Sequence, residues 1–163
     1  MTETNADRKG PGPQFRVSGR ISKPVHEVFE AVADPAQLSG YFTTGGARGR
    51  LEAGATVTWD FADFPGAFPV IVKDVVPDRR IVLNSGAADG TPDDGGAYDT
   101  TVTISFEPLE DGRTLVTIEE SGWRDTDAAR KAAFGNCEGW TGMLCALKVY
   151  LEHGINLRDG LYK

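Results

Sequence analysis

The carboxylate of Glu120 is the side chain of this sequence that is best placed for acid–base chemistry. Glu119 and Glu120 end a run, TLVTIEES, in which apolar residues recur at every second position. Alternate residues of a strand share a face, so Glu120 falls on the same face as Val116 and Ile118. If that face points inward, burial would raise the pKa of the Glu120 carboxyl and suit it to act as a general acid or base. The simpler interpretation, which we favour from the sequence alone, is a strand end that reaches water.

The other residues that could do chemistry lack suitable partners. His26 and His153 lie in predicted helices with no Cys or Ser partner nearby, and no nucleophile motif of the kind G-x-S-x-G is present. Cys137 and Cys145 are eight residues apart in one predicted helix, so about 12 Å separates them, which is too far for a disulfide and the wrong spacing for a metal pair. Asp60 alternates with an apolar face and is predicted to be solvated. The sequence therefore predicts no metal site and no cofactor.

The composition indicates one globular domain that binds neither nucleic acid nor membrane. The chain has 163 residues and a formal net charge of -7, without a basic patch that could attract phosphates. No apolar run approaches the ~20 residues of a membrane-spanning helix. Residues 1–13 are polar and rich in Gly and Pro, without the apolar core of a signal peptide. We expect a disordered tail over 1–13, a single domain over 14–163, and a cytoplasmic protein.

Hydrophobic periodicity predicts an α+β fold. Pro24 suits the first position of a helix that ends at Asp34, because Pro35 disfavours helical geometry before it. Asp34 can then cap a second short helix that ends at Gly40. Residues 86–97 predict a mobile hairpin loop that could act as a lid. Period-two alternation predicts strands at 15–21, 56–61, 68–76, 81–84, 101–106 and 115–118, and an amphipathic pattern predicts a long helix from about 126 to 153. A curved antiparallel sheet that grips this last helix is the simplest layered arrangement.

The long predicted helix carries an unusual sector of small residues. Gly135, Gly139, Gly142 and Ala146 align beside its apolar stripe. Each helical glycine costs about 1 kcal/mol relative to alanine, so close approach of another group should compensate. We favour close packing on a neighbouring element, and the alternative is close approach of a ligand.

Two segments of the chain resemble a known family. The segment ISKPVHEVFEAVADPAQLSGYF resembles the opening of the START-like, or birch-pollen-allergen-like (SRPBCC), superfamily. TLVTIEESGW, followed by GWTGMLCALKVYLEHG, is similar to the end of its subfamily of homologues of the activator of heat-shock-protein ATPase. Gly122-Trp123 and Gly139-Trp140 occupy the positions of that subfamily's Gly-aromatic pairs, whereas Tyr41-Phe42 stands where it often has a Trp. The resemblance implies a helix-grip fold with a deep cavity between the sheet and the C-terminal helix.

The apolar faces of sheet and helix suggest where a ligand would bind. A filled core is the simpler interpretation of the pattern, and the resemblance favours a cavity. We therefore predict that the protein binds or senses a small hydrophobic molecule. The alternatives are a polyketide cyclase or dehydratase with Glu120 as its catalytic group, or a module that binds a chaperone or a second copy of the chain. The residues predicted to contact the ligand are Phe29, Trp59, Phe61, Ile104, Phe106, Ile118, Trp140, Leu144 and Leu147.

Overall fold

The computed structural model describes residues 11–87 and 96–163. Residues 1–10 of the predicted tail and residues 88–95 of the predicted hairpin loop lie outside the described residues. Within the described part of the predicted tail, Gly12 lies against the backbone of Trp123, where a Cβ would collide with the Trp123 carbonyl.

The described residues form seven strands and three helices. The sheet is open, curved and antiparallel throughout, with the strand order β1-β7-β6-β5-β4-β3-β2. This arrangement confirms the predicted α+β helix-grip fold. The strands are β1 (Phe15–Ile21), β2 (Gly46–Arg48), β3 (Thr56–Phe61), β4 (Phe64–Val76), β5 (Arg80–Gly86), β6 (Asp99–Pro108) and β7 (Thr114–Ser121), and the helices are α1 (Val25–Ala33), α2 (Pro35–Leu38) and α3 (Asp127–His153).

Capping interactions set the helix boundaries. The Asp34 carboxylate accepts a hydrogen bond from the Ala36 amide at 3.0 Å, which separates α1 from α2 as predicted. Pro24 was predicted as the first helical residue, but its extended ψ of 151° makes it the N-cap instead. Helix α3 begins after Thr126, whose side chain accepts a hydrogen bond from the Ala129 amide, and ends at His153, with Gly154 as its C-cap. Gly154 has a φ of 68°, a left-handed conformation that glycine adopts without steric cost.

The turn after β7 positions the start of α3. Gly122 has a φ of 93° and redirects the chain, so that Trp123 is buried against Ala129 and Ala133. The Gly-aromatic pair at this position therefore joins the last strand to the first turns of the long helix.

Along its second half, helix α3 packs closely on the sheet. Leu144 lies against β1 at Gly19, where a Cβ would stand 3.2 Å from the Leu144 Cδ2 atom. On the same side of the molecule, the rings of Phe29 and Phe106 meet edge to face with 5.4 Å between their centroids. The first half of α3 stands over the other strands, and a cavity lies beneath it.

Candidate functional site

A cavity of about 490 Å³ lies between the first half of α3 and the concave face of the sheet. Its wall is mainly aromatic and aliphatic, and a few polar groups interrupt it. Phe64 and Gly135 are exposed and mark the side that opens to solvent. The apolar lining residues are Phe42, Trp59, Phe61, Phe64, Phe68, Val70, Leu83, Val102, Trp140 and Tyr162, and the others are Ser85, Glu120, Gly135, Asn136, Glu138, Gly139 and Arg158.

Phe42 organises the aromatic part of this wall. Its ring stacks on Trp140 with centroids 5.6 Å apart, and it meets the edges of Trp59 at 5.5 Å and Phe61 at 5.0 Å. Such edge-to-face and offset contacts are the preferred geometries of aromatic pairs, so they hold the rings in fixed orientations. Phe42 belongs to the Tyr41-Phe42 pair in which the sequence departs from the family it resembles.

Two glycines of α3 face open space rather than a neighbouring element. A Cβ placed on Gly135 or Gly139 would meet no atom within 4 Å, and both residues line the cavity. The predicted close packing is therefore wrong for these two positions. It holds at Gly142, where a Cβ would collide with the Tyr162 hydroxyl. The two open glycines leave the helix backbone without side chains at the cavity wall.

Glu120 is buried in the cavity wall and is only 2% exposed. The expected strand end that reaches water is wrong, because β7 pairs with both β1 and β6 at this residue. Thr100 donates to Oε1 at 2.8 Å, and the Trp140 indole N–H donates to Oε2 at 3.2 Å. The Asn136 amide donates to both oxygens at 3.1 and 3.2 Å. Asn136 and Trp140 can bind the same carboxyl because residues four apart share one face of a helix.

Burial raises the pKa of the Glu120 carboxyl above its ordinary value of 4.5. The hydrogen bonds from Thr100, Asn136 and Trp140 act in the opposite direction, because they favour the ionised form, but they do not outweigh burial. The carboxyl therefore takes up a proton more readily than an exposed glutamate.

The segment after α3 closes one side of the cavity. Arg158 is 4% exposed and donates from Nη2 to both oxygens of Asp63, at 3.2 and 3.1 Å. Its guanidinium lies 5.1 Å from the Phe61 ring centroid and 4.7 Å from that of Tyr162. Burial alone would raise the pKa of Asp63, but the hydrogen bond and charge of Arg158 leave it below its ordinary value.

The structure separates the residues predicted to contact a ligand into two groups. Trp59, Phe61 and Trp140 line the cavity, as does Glu120. The rest do not line it, because they lie on the part of the sheet's inner face where α1 and α3 pack closely. This second group, all buried in the core, comprises Phe29, Ile104, Phe106, Ile118, Leu144 and Leu147.

Sequence reasoning missed most of the remaining wall. Phe68, Val70, Leu83 and Val102 could have been found from strand alternation once the sheet order was known, since they lie on neighbouring strands β4, β5 and β6. Arg158 gave no such signal, because it binds a residue 95 positions away in the sequence.

The other residues considered for chemistry lie outside the cavity. His26 is exposed, and its Nδ1 lies 2.9 Å from the Asp78 carboxylate, whose hydrogen bond raises the pKa of the imidazole. Cys137 and Cys145 are free thiols. Across residues 11–87 and 96–163, no group of three or more His, Cys, Asp or Glu side chains is arranged to hold a metal ion. In the same residues no helix has the length and apolarity to cross a membrane.

Comparison with known proteins gives a family and several similar folds. Residues 22–152 match the sequence model of the family described as "Activator of Hsp90 ATPase homolog 1-like protein". No curated protein matches the chain significantly. The protein SSP2350 from Staphylococcus saprophyticus is 29% identical, with a TM-score of 0.73 over 90% of this chain and 96% of that one.

Two further solved structures share the fold. DynU16, described as a putative protein in the dynemicin biosynthetic locus, is 26% identical with a TM-score of 0.70, over 88% of this chain and 49% of that one. This chain thus spans about half the length of DynU16. The Aha1 dimer from Colwellia psychrerythraea is 20% identical, with a TM-score of 0.68 over 87% of this chain and 98% of that one.

Proposed function

The chain belongs to the family of Activator of Hsp90 ATPase homolog 1-like proteins, and from this premise we propose that it binds a small hydrophobic molecule in the cavity beneath α3. One observation carries the proposal: a space of about 490 Å³ whose wall includes seven aromatic side chains. Protein interiors are normally packed without voids larger than a water molecule, so a space of this size suits a ligand.

The apolar wall can supply the binding energy. Each Å² of apolar surface removed from water contributes about 25 cal/mol, so a ligand that buries ~200 Å² gains roughly 5 kcal/mol before the costs of association. Trp59 and Phe42 are already buried and oriented by their neighbours, which keeps the cost of ordering the wall low. A carrier or a sensor would use the cavity in this way.

A thermal-shift screen with fatty acids, sterols, aromatic polyketides and hydrophobic amines tests the proposal. A ligand present at a hundred times its Kd stabilises a protein by about 2.7 kcal/mol, which raises Tm by several degrees. We expect at least one class to produce such a shift and to be retained in native mass spectrometry.

A cavity-filling variant makes this test specific. Gly139→Leu should fold normally and abolish the shift, because its Cβ enters open space and the rest of the side chain occupies the cavity. Lys131→Leu, at an exposed position of the same helix, should still show the ligand-induced rise in Tm. Absence of any shift, or an equal shift in Gly139→Leu, would contradict ligand binding in this cavity.

Acid–base catalysis is the second candidate function, and the burial of Glu120 in the cavity wall favours it. A cyclase or dehydratase that acts on a polyketide-like substrate needs such a group within reach of the bound molecule. Glu120→Gln should then reduce turnover by about a hundredfold or more. Unchanged turnover would remove Glu120 from this role.

An interaction role, with a chaperone or a second copy of the chain, is supported by a separate surface. A groove beside α3 has exposed apolar residues on its rim: Phe134 is 76% exposed, Leu157 37% and Leu161 44%. Sedimentation velocity of wild type and Phe134→Ser, with and without the chaperone ATPase of the host, tests this role. Identical sedimentation in every mixture would contradict it.

A further inference from the structure

Glu120 has no cationic partner in the described residues. Its three hydrogen-bond donors, on Thr100, Asn136 and Trp140, are all neutral groups. No Lys, Arg or His nitrogen of residues 11–87 and 96–163 lies within 4.0 Å of its carboxylate. Buried carboxylates are usually paired with a cation, because an unpaired buried charge is costly. The described residues therefore leave this carboxylate without a positive charge beside it, which a ligand could supply.

The other charged groups of the cavity do not supply it. Arg158 lines the cavity, but its guanidinium is already bound to Asp63 at 3.1 Å. Glu138, on the exposed side of the wall, adds a second carboxylate rather than a cation. With Glu120 ionised, the lining residues and Asp63 together carry more negative than positive charge, and the net charge of the chain, -7, has the same sign.

The aromatic rings around this carboxyl also favour a cation. Trp140 donates to Glu120 through its indole N–H, and Trp59 lies next to it, with 6.3 Å between the two ring centroids. The faces of Trp and Phe rings attract organic ammonium groups, and the attraction is largest where water is excluded. A wall of aromatic rings with one buried carboxylate thus combines the two groups that recognise such cations.

We propose that the ligand is an organic cation, with an apolar and partly aromatic body and one ammonium group that lies against Glu120. The inference rests on the proposed function, since it specifies the ligand of the same cavity. A neutral ligand would leave the carboxylate buried without a counter-charge, and an anionic ligand would add a like charge. Burial raises the pKa of the Glu120 carboxyl, so binding of an ammonium group should release a proton from the fraction of molecules in which it is protonated.

Three probes with the same body and different charges test this inference. Isothermal titration calorimetry would compare 1-naphthylmethylamine, which is cationic at pH 7.5, with neutral 1-naphthylmethanol and anionic 1-naphthoate on the full chain. We expect the amine to bind wild type at least tenfold more tightly than the alcohol, and the naphthoate to bind most weakly. This ranking needs no variant, so it does not depend on the folding of one.

Two variants test whether the charge of Glu120 causes the preference for the amine over the alcohol. Glu120→Gln should bring the amine and the alcohol to within about twofold of each other. Glu119→Gln is the matched control, because Glu119 is the next residue of β7, lies on the opposite face and is exposed, so the tenfold preference should persist. A preference that survives in folded Glu120→Gln would overturn the inference.

The outcomes distinguish this inference from the proposed function. Equal affinities for amine and alcohol, or tighter binding of the naphthoate, would overturn the cation inference and leave ligand binding in the cavity standing. No binding of any of the three probes, together with no stabilisation in the thermal-shift screen, would overturn both.

Discussion

Glu120 is subject to two opposing influences. Burial disfavours the ionised carboxylate, while three donated hydrogen bonds favour it, and burial is the larger. The Glu120 carboxyl therefore keeps its proton to a higher pH than an exposed glutamate does.

The pH dependence of stability should reveal this balance. The pKa of Glu120 is raised above 4.5 in the folded state, so the folded protein binds the proton more tightly than the unfolded chain. This contribution to stability is fully present below about pH 4.5 and is lost as pH rises through the folded-state pKa. We expect the free energy of unfolding of wild type, minus that of Glu120→Gln, to fall as pH increases from 4.5, measured by urea denaturation. A difference that grows with pH would contradict the raised pKa.

Gly139 provides a second residue-scale prediction. Because a Cβ there would meet nothing within 4 Å, Gly139→Ala should gain the helix propensity of alanine, about 0.5–1 kcal/mol in the free energy of unfolding. Gly142→Ala is the matched control and should gain less, since the Tyr162 hydroxyl has to move. A loss of stability in Gly139→Ala, measured by urea denaturation, would contradict the open space at Gly139.

At the scale of elements, the segment after α3 is held to the β3–β4 turn by one buried ion pair. Arg158 and Asp63 have side chains that are only 5% and 10% exposed. Removing one member leaves the other buried without its partner, which is the costly way to break such a pair.

Arg158→Met should therefore destabilise the protein by about 3 kcal/mol. Arg80→Met is the control, because its ion pair with Asp74 has side chains 49% and 46% exposed; it should cost less than about 1 kcal/mol. Thermal denaturation measures both effects. Similar losses of stability in the two variants would contradict the larger contribution expected from the buried Arg158–Asp63 pair.

The elements differ in how far the sequence predicts them. Alternation identifies β3 and β6 because their buried residues, such as Val57 and Ile104, occupy every second position. The three-residue strand β2 is too short to show a period, and the early start of β4 at Phe64 is hidden by Pro65 and Gly66. Local pattern indicates which face of an element points inward, but it does not indicate which strands lie side by side.

The candidate site was predicted only in part for a related reason. Trp140 and Leu144 belong to one apolar stripe of α3, yet Trp140 lines the cavity whereas Leu144 packs on Gly19. The stripe fixes the direction of both side chains, and the distance from the helix to the sheet decides whether they enclose a space or fill one. That distance depends on contacts far apart in the sequence, such as the one between Arg158 and Asp63.

The whole molecule has a closely packed side and a hollow side, which share one helix. The second half of α3 has buried residues that include Met143, Ala146 and Leu147. The first half faces the cavity with Gly135 and Gly139. Local stability follows the number of buried contacts, so the two halves should differ in how often they open.

Amide hydrogen exchange should be faster in residues 127–140 than in residues 143–153 of α3. Saturation of the cavity by a stabilising ligand should slow exchange mainly in the first half, because only that half contacts the ligand. Uniform exchange along the helix, or protection confined to its second half, would contradict this division.

The position of the last residues has a practical consequence for handling the protein. Tyr162 forms part of the cavity wall, and the Lys163 Nζ atom lies 4.4 Å from the centre of the Phe64 ring on the open side. An affinity tag or fluorescent protein fused after Lys163 would lie beside the side of the cavity that opens to solvent, where the proposed ligand would enter. Affinities measured on such a fusion would be those of a partly blocked cavity, so the tag should be cleaved before any titration.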